Sequence, residues 1–224
     1  MQMHDTPRRI FWDLETTGFL PLARIVSIGW SCDGCATEVL VLPDVAIEVS
    51  ASNVHGWTMD KLSAYGAVDI STALHRFVQA IAYYPTPVVL CAHNGKSFDT
   101  HVLRAELERA RCSLPENVIG FADTMLWCRK SKIKECSLDA LAMKYLGKEA
   151  RGTHSAAVDA QLLESVVCSI EATLPSMPPL LALVEDTTAF DARTSKAAIR
   201  GTVDRMVDCV STDQVARKKF HATE

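Results

Sequence analysis

The sequence lacks any apolar run that approaches the roughly 20 residues needed to span a bilayer as a helix. Residues 1–7 are polar and the first apolar run is short and ends at Asp13, so the N-terminus does not resemble a secretory signal. Internal repeats and low-complexity segments are also missing. These absences predict a soluble intracellular protein, cytoplasmic or nuclear, rather than a membrane or secreted one.

A strong charge bias is missing as well, because 23 basic and 27 acidic residues among 224 give a formal net charge of −4. Nothing global therefore indicates nucleic-acid binding. A local basic patch, or bound cations that invert the sign of an acidic cleft, would still permit it. The length suits one domain with an added terminal segment. We place the main domain at residues 1–174, and a proline-containing linker with a helical extension of unknown role at 175–224.

The eight cysteines do not indicate a disulfide framework. They are scattered and lie mostly in apolar segments, which favours buried free thiols. Cys32-Asp33-Gly34-Cys35 could be half of a zinc site, but no second C-x-x-C or H-x-x-x-H supplies the other half. Asp-Gly between two apolar runs is typical of a type I′ hairpin turn, and we assign this pair no metal.

The hydrophobic pattern predicts an α/β fold with a mixed five-stranded sheet, whose first three strands are antiparallel and whose faces are covered by helices. The predicted strands are 8–14, 24–32, 35–42, 88–94 and 117–122. The predicted helices are 71–83, 98–110, 137–146 and 155–170, with a further helical stripe over 199–210. A loop is expected around residues 53–58. Ser71 or Thr72 is the expected N-cap of the first helix, and Ser137 that of the third.

Acids and a histidine lie where apolar segments end, although burying an unpartnered carboxylate costs on the order of several kcal/mol. Asp13 and Glu15 end the first strand, in FWDLETTG, and Asp99 opens the helix after VVLCAHN. His154 and Asp159 open the late helix, in GTHSAAVDAQLL. Each residue alone is weak evidence, because an acid at a helix start is usually a dipole partner and a lone histidine is usually a turn residue.

Taken together and in this order, the motifs resemble the DEDDh family of 3′-to-5′ exonucleases, over roughly residues 8–172. FWDLETTG matches the first motif of that family, AHNGKSFDTHVLRAEL the second and HSAAVD the third. NVHGWT is similar to a loop that follows the third strand. The motifs look closest to the three-prime repair exonucleases, and next to the epsilon proofreading subunit of bacterial DNA polymerase III. The resemblance implies an RNase H-like fold and leaves the biological role open, because the tail after Pro179 has no counterpart.

The resemblance also implies hydrolysis of phosphodiester bonds with two Mg²⁺ ions, for which Mn²⁺ may substitute. Four carboxylates would hold the ions, and two divalent cations would roughly neutralise them. These carboxylates are Asp13, Glu15, Asp99 and Asp159. By the same resemblance, Asp13 bridges both ions, Glu15 also reaches the terminal 3′-hydroxyl, and His154 takes the proton from the attacking water.

Substrate-binding residues are expected around the terminal nucleotide, and each has a structural alternative. The resemblance puts the 55–57 loop against the last base, where Trp57 either stacks, for about 1–3 kcal/mol, or packs in the core. Phe98 either wedges near the scissile end or packs. The substrate-binding set is Thr16, Thr17, His55, Gly56, Trp57, Asn94 and Phe98. The candidates for phosphate contacts, or for a solvated loop, are Lys96, Arg129, Lys130, Lys132, Lys134 and Arg151.

The expected function is a 3′-to-5′ exonuclease that releases nucleoside monophosphates from single-stranded or mismatched DNA 3′ ends, as in DNA repair or proofreading. A first alternative is an exoribonuclease, because relatives in the family that the sequence resembles degrade RNA with the same five residues, and no residue here identifies a reader of the 2′-hydroxyl. A second is a non-catalytic nucleic-acid-binding or adaptor domain, which the presence of all five residues disfavours. A homodimer through the apolar edge strand at 35–42 is a further expectation, with a monomer as the alternative.

Overall fold

The structure is a computed structural model that describes residues 6–148 and 154–187. Its strands are β1 (Arg8–Thr16), β2 (Ile25–Cys32), β3 (Cys35–Leu40), β4 (Val88–Ala92), β5 (Val118–Asp123) and β6 (Glu185–Asp186). Its helices are α1 (Val49–His55), α2 (Met59–Ala64), α3 (Ile70–Ala82), α4 (Asp99–Ala110), α5 (Thr124–Lys130), α6 (Leu138–Leu146) and α7 (Ala156–Thr173), followed by a 3₁₀ helix (Leu180–Leu183).

The strands form one mixed sheet in the order β3-β2-β1-β4-β5-β6. β1, β2 and β3 make an antiparallel meander, as predicted. β4 runs parallel to β1, and β5 runs parallel to β4. All five predicted strands are present, but the predicted number is one too small, because β6 pairs antiparallel with β5. β6 has only two residues, both acidic, and so offers no alternating apolar pattern to the sequence.

The predicted Asp-Gly turn joins β2 to β3. Asp33 and Gly34 have φ values of 53° and 78°, as a type I′ turn requires at both central residues. The turn places Cys32 opposite Cys35 in the register of the two strands. All seven cysteines in the described part of the chain are free thiols, and four of them are buried. Cys209 lies outside the described residues.

Two hydrophobic cores lie on the two faces of the sheet. The first packs α3 and α4 on the sheet, with the ring centroids of Trp12 and Phe77 6.2 Å apart. The second packs α5, α6, α7 and the 3₁₀ helix on the other face, around Trp127. Helices therefore cover both faces, as the sequence predicts.

Alternate residues of β1 serve the two cores. Trp12 and Leu14 belong to the first core and Phe11 to the second. Successive side chains of a strand point to opposite faces, so Asp13 and Glu15 share the face of Phe11. That face is the one on which α7 packs.

Gly29 of β2 lets the start of α7 lie directly on the sheet. A Cβ atom at Gly29 would be 2.0 Å from the main-chain carbonyl carbon of Ala156, closer than any real side chain allows. Gly29 pairs with Asp13 in the β1–β2 register. The first turn of α7 is therefore fixed beside the carboxyl end of β1.

Several helix boundaries differ from the prediction. The N-cap of α3 is Asp69, whose side chain accepts the N–H of Thr72, rather than Ser71 or Thr72. The loop predicted at residues 53–58 covers only 56–58, because α1 extends to His55, ends in a left-handed Gly56 with φ of 76°, and Thr58 then caps α2. These helices have seven and six residues, too few to show a helical repeat in the sequence.

The segment after α7 packs against the second core as far as β6. The indole N–H of Trp127 donates to the carbonyl oxygen of Pro178 at 2.7 Å, and Leu180 is fully buried. The helical stripe predicted over residues 199–210 lies outside the described residues. Among the helices of the described ranges, none is both long enough and apolar enough for a membrane span.

Candidate active site

Three of the predicted site residues meet at the carboxyl end of β1. Glu15 lies near the end of that strand, His154 lies just before α7, and Asp159 lies in the first turn of α7. Each offers one ligand atom, and these atoms all lie within 4.8 Å of one another. Glu15 and Asp159 are buried, so this is a buried acidic cluster rather than a solvated charge run.

Asp99 reaches the same strand end from the opposite side. The β1–β4 ladder ends at the pair Phe11 and Cys91, so Leu14 lies beyond it. The buried carboxyl group of Asp99, the first residue of α4, accepts the backbone N–H of Leu14. Because Leu14 stands between Asp13 and Glu15, this hydrogen bond places Asp99 beside the D-x-E pair.

Burial makes the anionic form of Asp99 costly. Burial raises the pKa of Asp99 to about 7, and the negative charge of Asp123 adds to the rise. Hydrogen bonds from the backbone N–H groups of Asp99 and Leu14 oppose it. A bound cation would favour the ionised form, because an opposite charge lowers the pKa of a carboxyl group.

Asp13 and Asp99 are not part of the group whose ligand atoms lie within 4.8 Å of one another. Asp13 nevertheless lies on the same strand as Glu15. It is partly buried on the same face of β1 as Glu15, two residues earlier in the strand. Its register partner Gly29 lies under the start of α7, which carries Asp159. Three distant parts of the sequence thus contribute acids to one end of β1.

The ring of His154 is oriented by Asp159. Its Nδ1 atom lies 3.0 Å from Oδ2 of Asp159, and its backbone N–H donates to the carbonyl oxygen of Val54 at 3.2 Å. Because an ionised carboxylate only accepts hydrogen bonds, Nδ1 carries the proton in this contact. The ring nitrogen that can accept a proton in the neutral form is then Nε2.

His55, predicted to bind substrate, is buried, and its ring makes hydrogen bonds within the protein. Its Nε2–H donates to the carbonyl oxygen of Thr16 at 3.2 Å, and its Nδ1 accepts the N–H of Trp57 at 3.0 Å. Burial lowers the pKa of His55 below its ordinary value of 6.5, the bond to Thr16 opposes this, and the charge of His154 adds to the lowering. His55 therefore links the end of α1 to the end of β1 as a neutral imidazole.

The two predicted threonines use their hydroxyl groups within the turn after β1. The hydroxyl of Thr16 donates to the carbonyl oxygen of Gly18 at 2.8 Å, and that of Thr17 accepts the N–H of Arg24 at 3.0 Å. Both side chains are buried. For these hydroxyls the geometry favours a structural role within the turn over direct contact with a nucleotide.

Two aromatic pairs stand near the acidic cluster. Trp57, just after the left-handed Gly56, is partly buried and meets Tyr65 edge to face, with ring centroids 5.7 Å apart. Phe98 meets Phe19 in the same way at 6.3 Å, and Phe19 is 66% exposed. Phe19 was not predicted as a site residue, although an aromatic side chain directly after the TTG turn is a signal for one.

The loop before α4 carries Asn94 in a left-handed conformation with φ of 61°. The N–H of Asn94 donates to Oδ1 of Asp123 at 3.2 Å, so its backbone is anchored to β5. Asp123 was also missed in the sequence, where the visible signal is an acid that closes the fifth strand, in GFADT.

The predicted phosphate contacts divide into three groups. Lys96 forms an ion pair with Glu185 of β6. Four residues at the end of α5 and in the loop after it are exposed to solvent: Arg129, Lys130, Lys132 and Lys134. Arg151 lies outside the described residues.

The donor set suits a divalent metal ion. Carboxylate oxygens predominate in the cluster, and Mg²⁺ and Mn²⁺ prefer oxygen ligands. Burial raises the pKa of Asp99 to about 7, and a bound cation would offset this cost of ionising a buried carboxyl group. The residues at the end of β1 thus fit a divalent cation.

Comparisons with known proteins agree with this geometry. A family model for exonucleases of the RNase T type matches residues 10–166. The fold is similar to that of E. coli exonuclease I in its zinc-bound complex with single-stranded DNA, with a TM-score of 0.61, 17% identity, and coverage of 77% of this chain and 42% of that chain. The same enzyme bound to a dT13 oligonucleotide gives a TM-score of 0.62, 17% identity, and coverage of 76% and 42%. The chain thus spans about two fifths of the length of exonuclease I. A search of curated protein sequences finds no match.

Proposed function

Because the chain belongs to the RNase T type of the DEDD 3′-to-5′ exonuclease family, we propose that it removes nucleoside monophosphates from the 3′ ends of DNA in a reaction that depends on divalent cations. The observation that carries this proposal is the meeting of Glu15, His154 and Asp159, whose ligand atoms lie within 4.8 Å of one another. Asp99, bonded to the backbone beside Glu15, adds a further carboxylate from another element.

The four acids share one task in this proposal. Asp13, Glu15, Asp99 and Asp159 hold two divalent cations, Mg²⁺ in the first place. The cations, when bound, supply an activated nucleophile and stabilise charge on the leaving 3′ oxygen. Four carboxylates carry about four negative charges, so two such cations would roughly neutralise the cluster.

His154 is the proposed proton acceptor. Its Nδ1–H is held by Asp159, which leaves Nε2 as the atom that takes a proton from the attacking water. An unperturbed histidine has a pKa near 6.5, which suits this task at neutral pH. The partial exposure of its side chain leaves the ring accessible to a substrate.

The surroundings of the cluster support a strand end as the substrate. The exposed Phe19 and Tyr65 offer aromatic faces, and unpaired bases stack on such faces with little sequence preference. The exposed basic residues between Arg129 and Lys134 offer charge to the phosphate backbone. The similarity in fold to exonuclease I bound to single-stranded DNA is the reason for proposing DNA as the substrate, with single-stranded or mismatched ends preferred. Such a preference would suit DNA repair or proofreading.

A panel of 5′-end-labelled substrates tests the proposal: single-stranded DNA, duplex DNA with a mismatched 3′ end, and RNA of the same sequence. With Mg²⁺ we expect a ladder of products shortened from the 3′ end of DNA. EDTA should stop the reaction and excess Mg²⁺ should restore it, and Asp159→Ala should be inactive. Faster degradation of RNA than of DNA would favour the exoribonuclease alternative. Degradation that survives EDTA, or that begins at the 5′ end, would contradict it.

A further inference from the structure

Asp123, at the end of β5, accepts more hydrogen bonds than a helix cap needs. As the N-cap of α5 it accepts the N–H of Leu126 through Oδ1 at 3.1 Å. The same oxygen accepts the N–H of Asn94 at 3.2 Å, and Oδ2 accepts the N–H of Lys96 at 3.0 Å. Two of its three backbone donors therefore belong to the distant loop between β4 and α4.

Those two donors flank Gly95, which in turn fixes the start of α4. The carbonyl oxygen of Gly95 accepts the N–H of Phe98 at 3.3 Å and that of Thr100 at 3.0 Å, on either side of Asp99. Gly95 is also closely packed, because a Cβ atom there would be 2.6 Å from the Cβ of Ala92. A continuous chain of backbone hydrogen bonds thus runs from the Asp123 carboxylate to the residues that carry Asp99.

A second set of contacts ties the same loop to the same strand end. Nδ1 of His93 lies 2.8 Å from the hydroxyl of Thr124, the residue after Asp123. Nε2 of His93 lies 2.7 Å from the carbonyl oxygen of Cys136. The end of β5 therefore holds the loop at both His93 and Lys96.

We propose that Asp123 is a positioning residue for the cation site: it holds the 94–96 backbone and so sets where Asp99 enters the acidic cluster. This inference rests on the proposed function. In this role Asp123 acts through the backbone of residues 94–96, to which both of its carboxylate oxygens are hydrogen-bonded. Its loss should therefore weaken cation binding and slow turnover, with little effect on the KM for the oligonucleotide.

Asp69 is a matched control for the simpler role of an N-cap. It caps α3 with the same chemistry, because its side chain accepts the N–H of Thr72 at 3.0 Å and the hydroxyl of Thr72 at 2.6 Å. α3 contributes none of the proposed cation ligands. If Asp123 were only an N-cap, Asp123→Ala and Asp69→Ala would have the same effect on the affinity for the cation.

Titration of the full chain with Mg²⁺ and Mn²⁺ by isothermal calorimetry tests the inference without using activity. We expect Asp123→Ala to raise the cation Kd at least tenfold and Asp69→Ala to change it less than twofold. In the exonuclease assay at saturating cation, kcat of Asp123→Ala should fall while KM stays within twofold of wild type. Equal cation affinity in the two variants would overturn the inference.

Asp123→Asn keeps the test decisive if the alanine variant does not fold. Asparagine caps helices well and retains one acceptor oxygen, but it replaces the other with an amide that cannot accept the Lys96 N–H. We expect Asp123→Asn to bind the cation more weakly than wild type does, and an unchanged affinity would overturn the inference. A wild-type protein that binds the cation but degrades no nucleic acid would instead overturn the proposed function alone.

Discussion

At the scale of single residues, the cost of a buried carboxylate governs this site. Asp99 is buried at the start of α4 with a pKa of about 7, far above its ordinary value of 3.8. Between these two pH values the folded protein keeps a proton that the unfolded chain has released. The stability of the cation-free protein should therefore fall as pH rises from about 4 to about 7.

Asp99→Asn should remove this dependence. In EDTA, we expect the Tm of the variant minus the Tm of wild type to increase as pH rises through this window. Above pH 7 this difference should level off. Mg²⁺ at pH 8 should raise the Tm of wild type more than that of the variant, because a cation favours the carboxylate. Thermal melts at a series of pH values measure both effects. A difference in Tm that does not change with pH would contradict the burial argument.

His154→Ala should separate catalysis from binding. Loss of a general base typically costs about 100- to 10,000-fold in rate, so the single-turnover rate should fall by that order. Binding of a single-stranded oligonucleotide, measured with Ca²⁺ in place of Mg²⁺, should change only a few fold. His75→Ala is the control, because His75 is an exposed histidine on α3. A wild-type single-turnover rate in His154→Ala would remove the histidine from the mechanism.

Sequence patterns predict the five site residues but not the roles of their neighbours. The D-x-E, Asp99 and H-x-x-x-x-D motifs are readable because a known family carries them in the same order. The sequence predicts His55 as a substrate contact, whereas its two hydrogen bonds within the protein make it a buried link between α1 and β1. The role of Asp123 could not be predicted for a related reason, because its hydrogen-bond partners lie 27 and 29 residues away in the sequence.

At the scale of elements, the site depends on α7 lying close to the sheet. Gly29 permits this approach because any side chain there would meet the backbone of Ala156 and Ala157. The sequence predicts α7 itself from its apolar repeat. It cannot predict the close contact, because a glycine in a strand has several explanations.

Gly29→Ala should displace the start of α7 and with it Asp159. Overpacking of this kind typically costs about 1–3 kcal/mol, and a backbone neighbour cannot move aside as a side chain can. We expect a loss of unfolding free energy of at least that size in urea, together with weaker Mg²⁺ binding. Ala36→Val, which adds methyl groups to the exposed side of β3, should change both quantities little. Unaltered Mg²⁺ affinity in Gly29→Ala would show that Asp159 does not depend on this contact.

At the scale of the whole molecule, packing against the sheet and its second core continues beyond residue 174. Leu180 is buried in the second core and β6 extends the sheet beyond β5. A proline-rich sequence such as LPSMPPL gives no sign of this packing, because composition alone cannot distinguish a linker from an irregular segment that covers a core. The predicted homodimer through β3 stays a prediction.

Leu180→Ala should test how much this segment contributes to stability. Truncation of a fully buried leucine typically costs about 2–5 kcal/mol, and we expect a loss in that range by urea unfolding. Leu22→Ala makes the same chemical change at a side chain that is 76% exposed, so it should cost under about 0.5 kcal/mol. Equal effects of the two changes would mean that the segment does not share the cooperative unit of the domain.

The most direct measurement of the central claim is anomalous scattering from crystals grown with Mn²⁺. The account predicts Mn²⁺ at the carboxyl end of β1, with oxygen ligands from Glu15 and Asp159 and from at least one of Asp13 and Asp99. Mn²⁺ bound only elsewhere on the protein would contradict it, as would Mn²⁺ at this end of β1 without a ligand from Glu15 or from Asp159, or with neither Asp13 nor Asp99 as a ligand.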